Sequence, residues 1–280
     1  MRFSNLIRPA LLSRFVLMIS VLVSSATVTA ATISTEEANS VLSALHKAKV
    51  EAYLAINAYY SYSMTPGDKA IAAETSEKLQ ELGGLLKQID GMTGIKELPT
   101  EWTQVRDKWK TFGRLLDTNR RDVAKQGFAD LRLVVEMAQA NADFIHALEA
   151  TSTQLKQVSG VQPKPLVEQV RKATLKIEQI MTAYAARSAS TVVQAVQGAK
   201  TEEPIDVLAL QFSEQLDGLT KAASSNADAN KLIDSISAQW GFIKSSYLNF
   251  NEDTVAYAAN LYSRRIIDKL RELETIYAAL

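Results

Sequence analysis

Two histidines, no cysteine and one arginine set among tyrosines are the residues of this chain on which chemistry could turn. His146 and Glu149 lie three residues apart, a spacing that puts an imidazole and a carboxylate on one helix face. A di-iron centre in a helical bundle needs Glu-x-x-His pairs from two helices. Here the order is reversed and no second pair exists, so no metal site is expected. Without cysteine the chain has no thiolate site, no thiol nucleophile, no covalent c-type haem and no disulfide. Neither Gly-x-Ser-x-Gly nor a Gly-rich phosphate loop occurs. The expectation is therefore a protein without cofactor and without catalysis. An enzyme whose site is assembled from separate helices is the alternative.

A binding constellation is easier to find. Tyr53, Tyr59, Tyr60 and Tyr62 crowd one stretch, and a later stretch carries Tyr184 followed by Arg187. The series Val170, Ala173, Ile177, Ile180 and Tyr184 follows helical spacing and places Arg187 at the next inward position. An arginine on a buried seam needs an anionic partner. That partner is either a structural carboxylate or a small anionic ligand gripped by the planar guanidinium. In the second case Tyr184, Tyr59 and Tyr60 would orient the ligand, and Asn57 would add an amide donor or acceptor.

These residues need helices to hold them. Between Pro66, Pro99, Pro163, Pro165 and Pro204 the apolar residues recur at three- and four-residue intervals, without strand alternation. Ser34 or Thr35 is the expected N-cap of a first helix running to about Ser63, with Glu36 and Glu37 in its first turn. A second helix covers about Asp68 to Ile89. A third follows Pro99, and a fourth runs from about Arg121 to Val158, with Gly113 and Gly127 weakening the join between them. Pro163 and Pro165 introduce a fifth helix, to about Gln197. Glu202-Glu203-Pro204 opens a sixth, to about Ala223, and Ser224 to Asp228 forms a turn. A seventh helix carries Trp240 and an eighth reaches the C-terminus, with Glu252 and Asp253 as helix-start charges.

The second half repeats the first. Trp102, Val105, Trp109, Phe112 and Leu116 reappear as Ile233, Ile236, Trp240, Ile243 and Tyr247, about 131 residues further on. Ser76 to Leu82 matches Ser213 to Leu219, and Ala58-Tyr59 with Ser63 matches Ala183-Tyr184 with Ser188. Helices with one apolar stripe must bury it against one another. The expected fold is all-α: tandem duplicated antiparallel four-helix units, about eight helices, over residues 31–160 and 161–280. A single merged bundle is the alternative. The tryptophans are assigned to core packing.

Residues 1–30 read as a signal peptide. Arg2, Arg8 and Arg14 precede the apolar run Phe15 to Val23, and Val28-Thr29-Ala30 offers a cleavage site after Ala30. That run is too short to span a bilayer, and no transmembrane span is expected in the mature chain. A cysteine-free exported protein fits a bacterial periplasm. Basic and acidic residues balance at 31 each, which argues against nucleic-acid binding.

Two resemblances follow from these residues. His146 with Glu149 resembles the His-x-x-Glu element of imelysin-like proteins, which implies metal or haem binding; their Gly two residues before the His is Phe144 here. The exported, repeated helical hairpins resemble the extracytoplasmic sensor bundles of bacterial receptors, in particular the N-terminal domain of type IV pili methyl-accepting chemotaxis transducers. Those carry a Gly-Arg-Gln-Arg-Met-x-Ser-Gln-Arg stretch, of which Gln179, Met181 and Arg187 remain between Lys176 and Arg187. That likeness implies a sensing or envelope role, with a small ligand or a membrane receptor or envelope protein as partner.

Overall fold

Helix ends in this protein are set by side-chain caps and glycines. In the computed structural model, which describes residues 33–189, 203–222, 226–250 and 255–280, Ser34 starts α1 (Thr35–Met64) with a capping box: its hydroxyl accepts from Glu37 N, and the Glu37 carboxylate accepts from Ser34 N at 3.1 Å. Asp68 caps α2 (Lys69–Asp90) by accepting from Ala70 N and Ile71 N. A short α3 (Thr93–Lys96), not expected from the sequence, bridges to α4 (Pro99–Gln126), which begins with proline in its first turn.

The join after α4 differs from expectation. α4 runs through Arg121 to Gln126, and α5 (Leu131–Ser159) begins ten residues later than Arg121. The break falls at Gly127, whose φ of 85° is left-handed and ends α4, its N–H donating to Val123 O. Asp130 then caps α5. Gly113 does not break α4, and the Trp109 ring lies over it, 3.4 Å from where a Cβ would stand.

α6 (Pro165–Ala189), α7 (Ile205–Ala222), α8 (Ala227–Leu248, capped by Asn226) and α9 (Ala256–Ala279) complete the described helices, and no strand occurs among the described residues. The leader assigned to residues 1–30, the expected end of the fifth helix at Gln197, and Glu202, Ser224, Ser225, Glu252 and Asp253 lie outside the described residues. Among the described residues no helix is long and apolar enough to cross a membrane.

The fold is an all-α multi-helix bundle. α1 packs on α2 and α5, and α4 on α5 and α2; α6 likewise packs on α7 and α9, and α8 on α7 and α9. The two cycles of four meet through α1 and α6. Each cycle has its own core, one containing Trp102, Phe112 and Phe144, the other Phe212, Trp240 and Tyr247. The helices at the join lend residues across it: Val50 and Leu54 of α1 belong to the second core, and Ala185 and Ala186 of α6 to the first. Both α1 and α6 are thus buried on two faces; α1 is apolar around much of its circumference from Val50 to Tyr60, as a helix so placed must be. Trp102 and Trp240 are buried, with their indole N–H groups donating to Asp90 Oδ1 at 2.6 Å and Ser213 Oγ at 3.0 Å.

Candidate functional site

The seam where α1, α6 and α9 meet collects the polar groups that the two cores exclude. At one end, a groove of about 650 Å3 is lined by residues 39–50 of α1, by Val167 and Arg171 of α6, and by Arg271 and Glu274 of α9. At the other, a cavity of about 430 Å3 is lined by Asn57, Ser61 and Met64 of α1, Met181 and Tyr184 of α6, and Tyr257, Asn260 and Arg264 of α9. The order of these residues makes α1 and α6 parallel and α9 antiparallel to both.

The groove is cationic, and three of its cations are engaged, while Lys47 also lines it. Arg171 Nε donates to Glu274 at 2.7 Å, Arg271 to Glu51 at 2.8 Å, and Lys164 to Ala278 O at 2.8 Å. His46 sits in its wall. Burial first, then the charges of Lys49, Arg171 and Arg271, hold its imidazole well below the usual histidine range. Glu274 lies 3.6 Å from His46 Nε2 and pairs with Arg171 at 2.7 Å.

Between groove and cavity lies Glu178 of α6, fully buried, with no hydrogen-bond partner for either carboxylate oxygen among the described residues. Burial pushes its carboxyl well above the usual carboxylate range; Arg271 and Arg264 pull it down, while Glu51 and Asp268 push it further up. Of Glu51, one oxygen accepts from Arg271 and the other has only Lys78 at 3.9 Å.

The cavity is different in kind. Its walls are mostly apolar, including Met64, Ile71, Met181, Tyr184, Tyr247 and Leu261. Its rim polar groups satisfy one another in a chain: Asn260 Nδ2 approaches Ser61 Oγ at 3.5 Å, Arg264 Nε donates to Asn260 Oδ1 at 3.2 Å, and Arg264 pairs with Glu74 of α2. The Tyr247 hydroxyl is occupied by Ser263 at 2.7 Å, and burial raises its ionisation far above the ordinary phenol value. Asn57 alone is left over. Its side chain is fully buried, and neither its Oδ1 nor its Nδ2 meets a hydrogen-bond partner among the described residues. Such an unmatched buried amide costs about 1–3 kcal/mol. The arrangement suits recognition more than proton transfer: a carboxamide neither gives nor takes a proton near neutral pH, and Glu74 is tied to Arg264.

Of the five residues that sequence reasoning singled out, Asn57 and Tyr184 line this cavity together. Tyr59 and Tyr60 are buried in the first core, their rings 5.6 Å apart. Arg187 is half-buried, its guanidinium 4.9 Å from the centroid of the Phe250 ring. The arginine at the cavity is Arg264, which the sequence reading passed over; its α9 partner Asn260, one turn away, was the available signal. His146 is exposed, and Glu149 pairs with Lys49 of α1. Among the described residues no group of three or more histidine or acidic side chains is placed to hold a metal ion.

Tyr184 also ties α6 to the start of α9, its hydroxyl accepting from Val255 N at 3.2 Å while its ring meets Tyr247 edge-on. Tyr184→Phe leaves that N–H without its acceptor and is expected to lower stability by ~0.5–1.5 kcal/mol in urea unfolding. No change beyond error would mean that the bond carries nothing.

Neither a family model, nor a curated protein, nor a solved structure matches this chain.

Proposed function

We propose that this chain is an exported, non-enzymatic helical binding protein of the bacterial periplasm, with a sensing or envelope role, and that it holds a small ligand in the cavity between its two bundles. One observation carries the reading: Asn57 is fully buried, without a hydrogen-bond partner among the described residues, in the wall of a cavity otherwise apolar or self-satisfied. Pockets that bind small molecules combine apolar walls with a few placed polar groups and fall at about 300–1,000 Å3, a range that includes this one. A cavity at the join of two bundles also suits sensing, because a ligand there touches α1, α6 and α9 and biases how the halves pack. Export rests on the arginine-rich, apolar start of the sequence. A sensing protein with no membrane-spanning helix among its described residues needs a membrane receptor or envelope partner, and Tyr257, 83% exposed at the cavity wall, and exposed Met64 offer apolar contact beside the ligand.

A thermal-shift screen of small molecules against the protein and an Ala256→Phe variant tests the reading. Ala256 lines the cavity at the first turn of α9, partly buried at the edge of the second core, where a larger ring takes up cavity space. Ligands of this site raise the melting temperature of the unmodified protein and not of the filled one. If nothing stabilises either protein, or both respond equally, the cavity is not the site.

A further inference from the structure

From the unmatched amide of Asn57 and the self-paired rim, we infer that the ligand of this cavity is uncharged and carries an amide-like edge, a hydrogen-bond donor beside an acceptor, on a compact apolar or aromatic body. Primary carboxamides, lactams and the amide edges of heterocyclic bases belong to this class. The inference rests on the cavity being the binding site and goes on to say what enters it.

The polar needs of the cavity decide the ligand's chemistry. Ser61, Asn260, Arg264 and Glu74 form one connected set across α1, α9 and α2, so the rim cation already has its carboxylate. An anionic ligand would share the Arg264 guanidinium with Glu74 and bring a second negative charge beside that carboxylate. Asn57 asks for the opposite of an ion. A carboxamide presents one acceptor and two donor hydrogens in a plane, and its best partner is another amide-like edge, with which it closes a ring of two hydrogen bonds. The remainder of the ligand meets Met181, Ile71, Leu261 and the faces or edges of Tyr184 and Tyr247, surfaces that reward burial of an apolar or aromatic body. Polar groups at an exposed rim are matched by water; Asn57 is fully buried in the cavity wall, and no protein group among the described residues pairs its amide.

Three probes of similar shape separate the possibilities: benzamide, benzoate and toluene, titrated calorimetrically into the full mature protein at pH 7.5 and repeated with Asn57→Leu. Benzamide is expected to bind at least ~tenfold more tightly than toluene, the worth of two net hydrogen bonds, with benzoate weaker than benzamide. Asn57→Leu should abolish the advantage of benzamide over toluene while keeping toluene binding, which also shows that the variant still folds around its cavity. Toluene binding as tightly as benzamide in the unmodified protein overturns the amide-edge inference and leaves the cavity reading standing. Preference for benzoate overturns it in favour of an anion. Failure of all three probes to bind counts against both. The comparison of the three probes in the unmodified protein decides the matter even if the variant does not fold.

Discussion

Glu178→Gln stabilises the folded protein at neutral pH by ~1–3 kcal/mol, because a neutral amide needs no proton uptake on folding, whereas the raised carboxyl does. The larger effect is on pH dependence. Glu178 is fully buried and its carboxyl is raised above the ordinary value of 4.5, first by burial. A raised folded-state value means that the native protein holds a proton the unfolded chain has released. Its contribution is therefore fully present below about 4.5 and is lost as pH rises toward the folded-state value. His46, in the same seam, has the opposite sign. Burial and the neighbouring Lys49, Arg171 and Arg271 hold it below its ordinary 6.5, so its contribution is present above about 6.5 and lost as pH falls.

Between about 4.5 and 6.5 the two titrations oppose each other. Each carries a slope of at most about 1.4 kcal/mol per pH unit, so removing either uncovers the other. Urea unfolding of Glu178→Gln should show stability rising with pH across that window. His46→Gln should show it falling, and the unmodified protein should be flatter than both. Two variants with slopes of the same sign would refute the assignment of these shifts to Glu178 and His46.

The helices were legible because their signals are local. Proline positions, the N-cap at Ser34 or Thr35 with Glu36 and Glu37 in the first turn, and the stripe from Val170 to Tyr184 are local signals, and the structure has Ser34 as the cap and the stripe buried. The shift of the α5 start to Leu131 shows where local signals mislead. Arg121 lies within a run that stays helical until Gly127 takes a left-handed conformation, and Asp130 restarts the chain. The seam was only half legible. A stripe argument follows one face of a helix, and it carried Val170 onward to Arg187. Glu178 and Thr182 lie on the second face of α6, buried where α1 and α9 pack against it. No periodicity within α6 announces that neighbour. The clue was in α1, where the long apolar run from Val50 to Tyr60 contains Glu51, Tyr53 and Asn57, polar groups in a segment with no face for water. Asn57 was reached through the tyrosines beside it; Arg264 and Glu178 needed the contact between bundles.

Arg271→Ala is expected to be the most damaging single change in that seam. Arg271 of α9 donates to Glu51 of α1 at 2.8 Å, so the bond spans the two bundles. Breaking a buried pair by removing one partner costs ~3–5 kcal/mol, and about 2–4 kcal/mol is expected here because the guanidinium has some access to water. What remains is worse than what is lost. Glu51 has a side chain only 7% exposed, and its nearest other cation, Lys78, is 3.9 Å away. Glu178 at the same time loses the strongest of the charges that favour its ionised form. Since the damage is an abandoned carboxylate, Glu51→Gln should recover more than half of the loss in the double variant, while costing less than Arg271→Ala on its own. Because the pair joins the bundles, the single variant should also unfold less cooperatively, with a calorimetric enthalpy exceeding the van't Hoff value. A loss below about 1 kcal/mol, in the range of exposed pairs, would show that solvent screens this contact. A double variant no better than Arg271→Ala would show that the arginine acts through its packing stem rather than its charge.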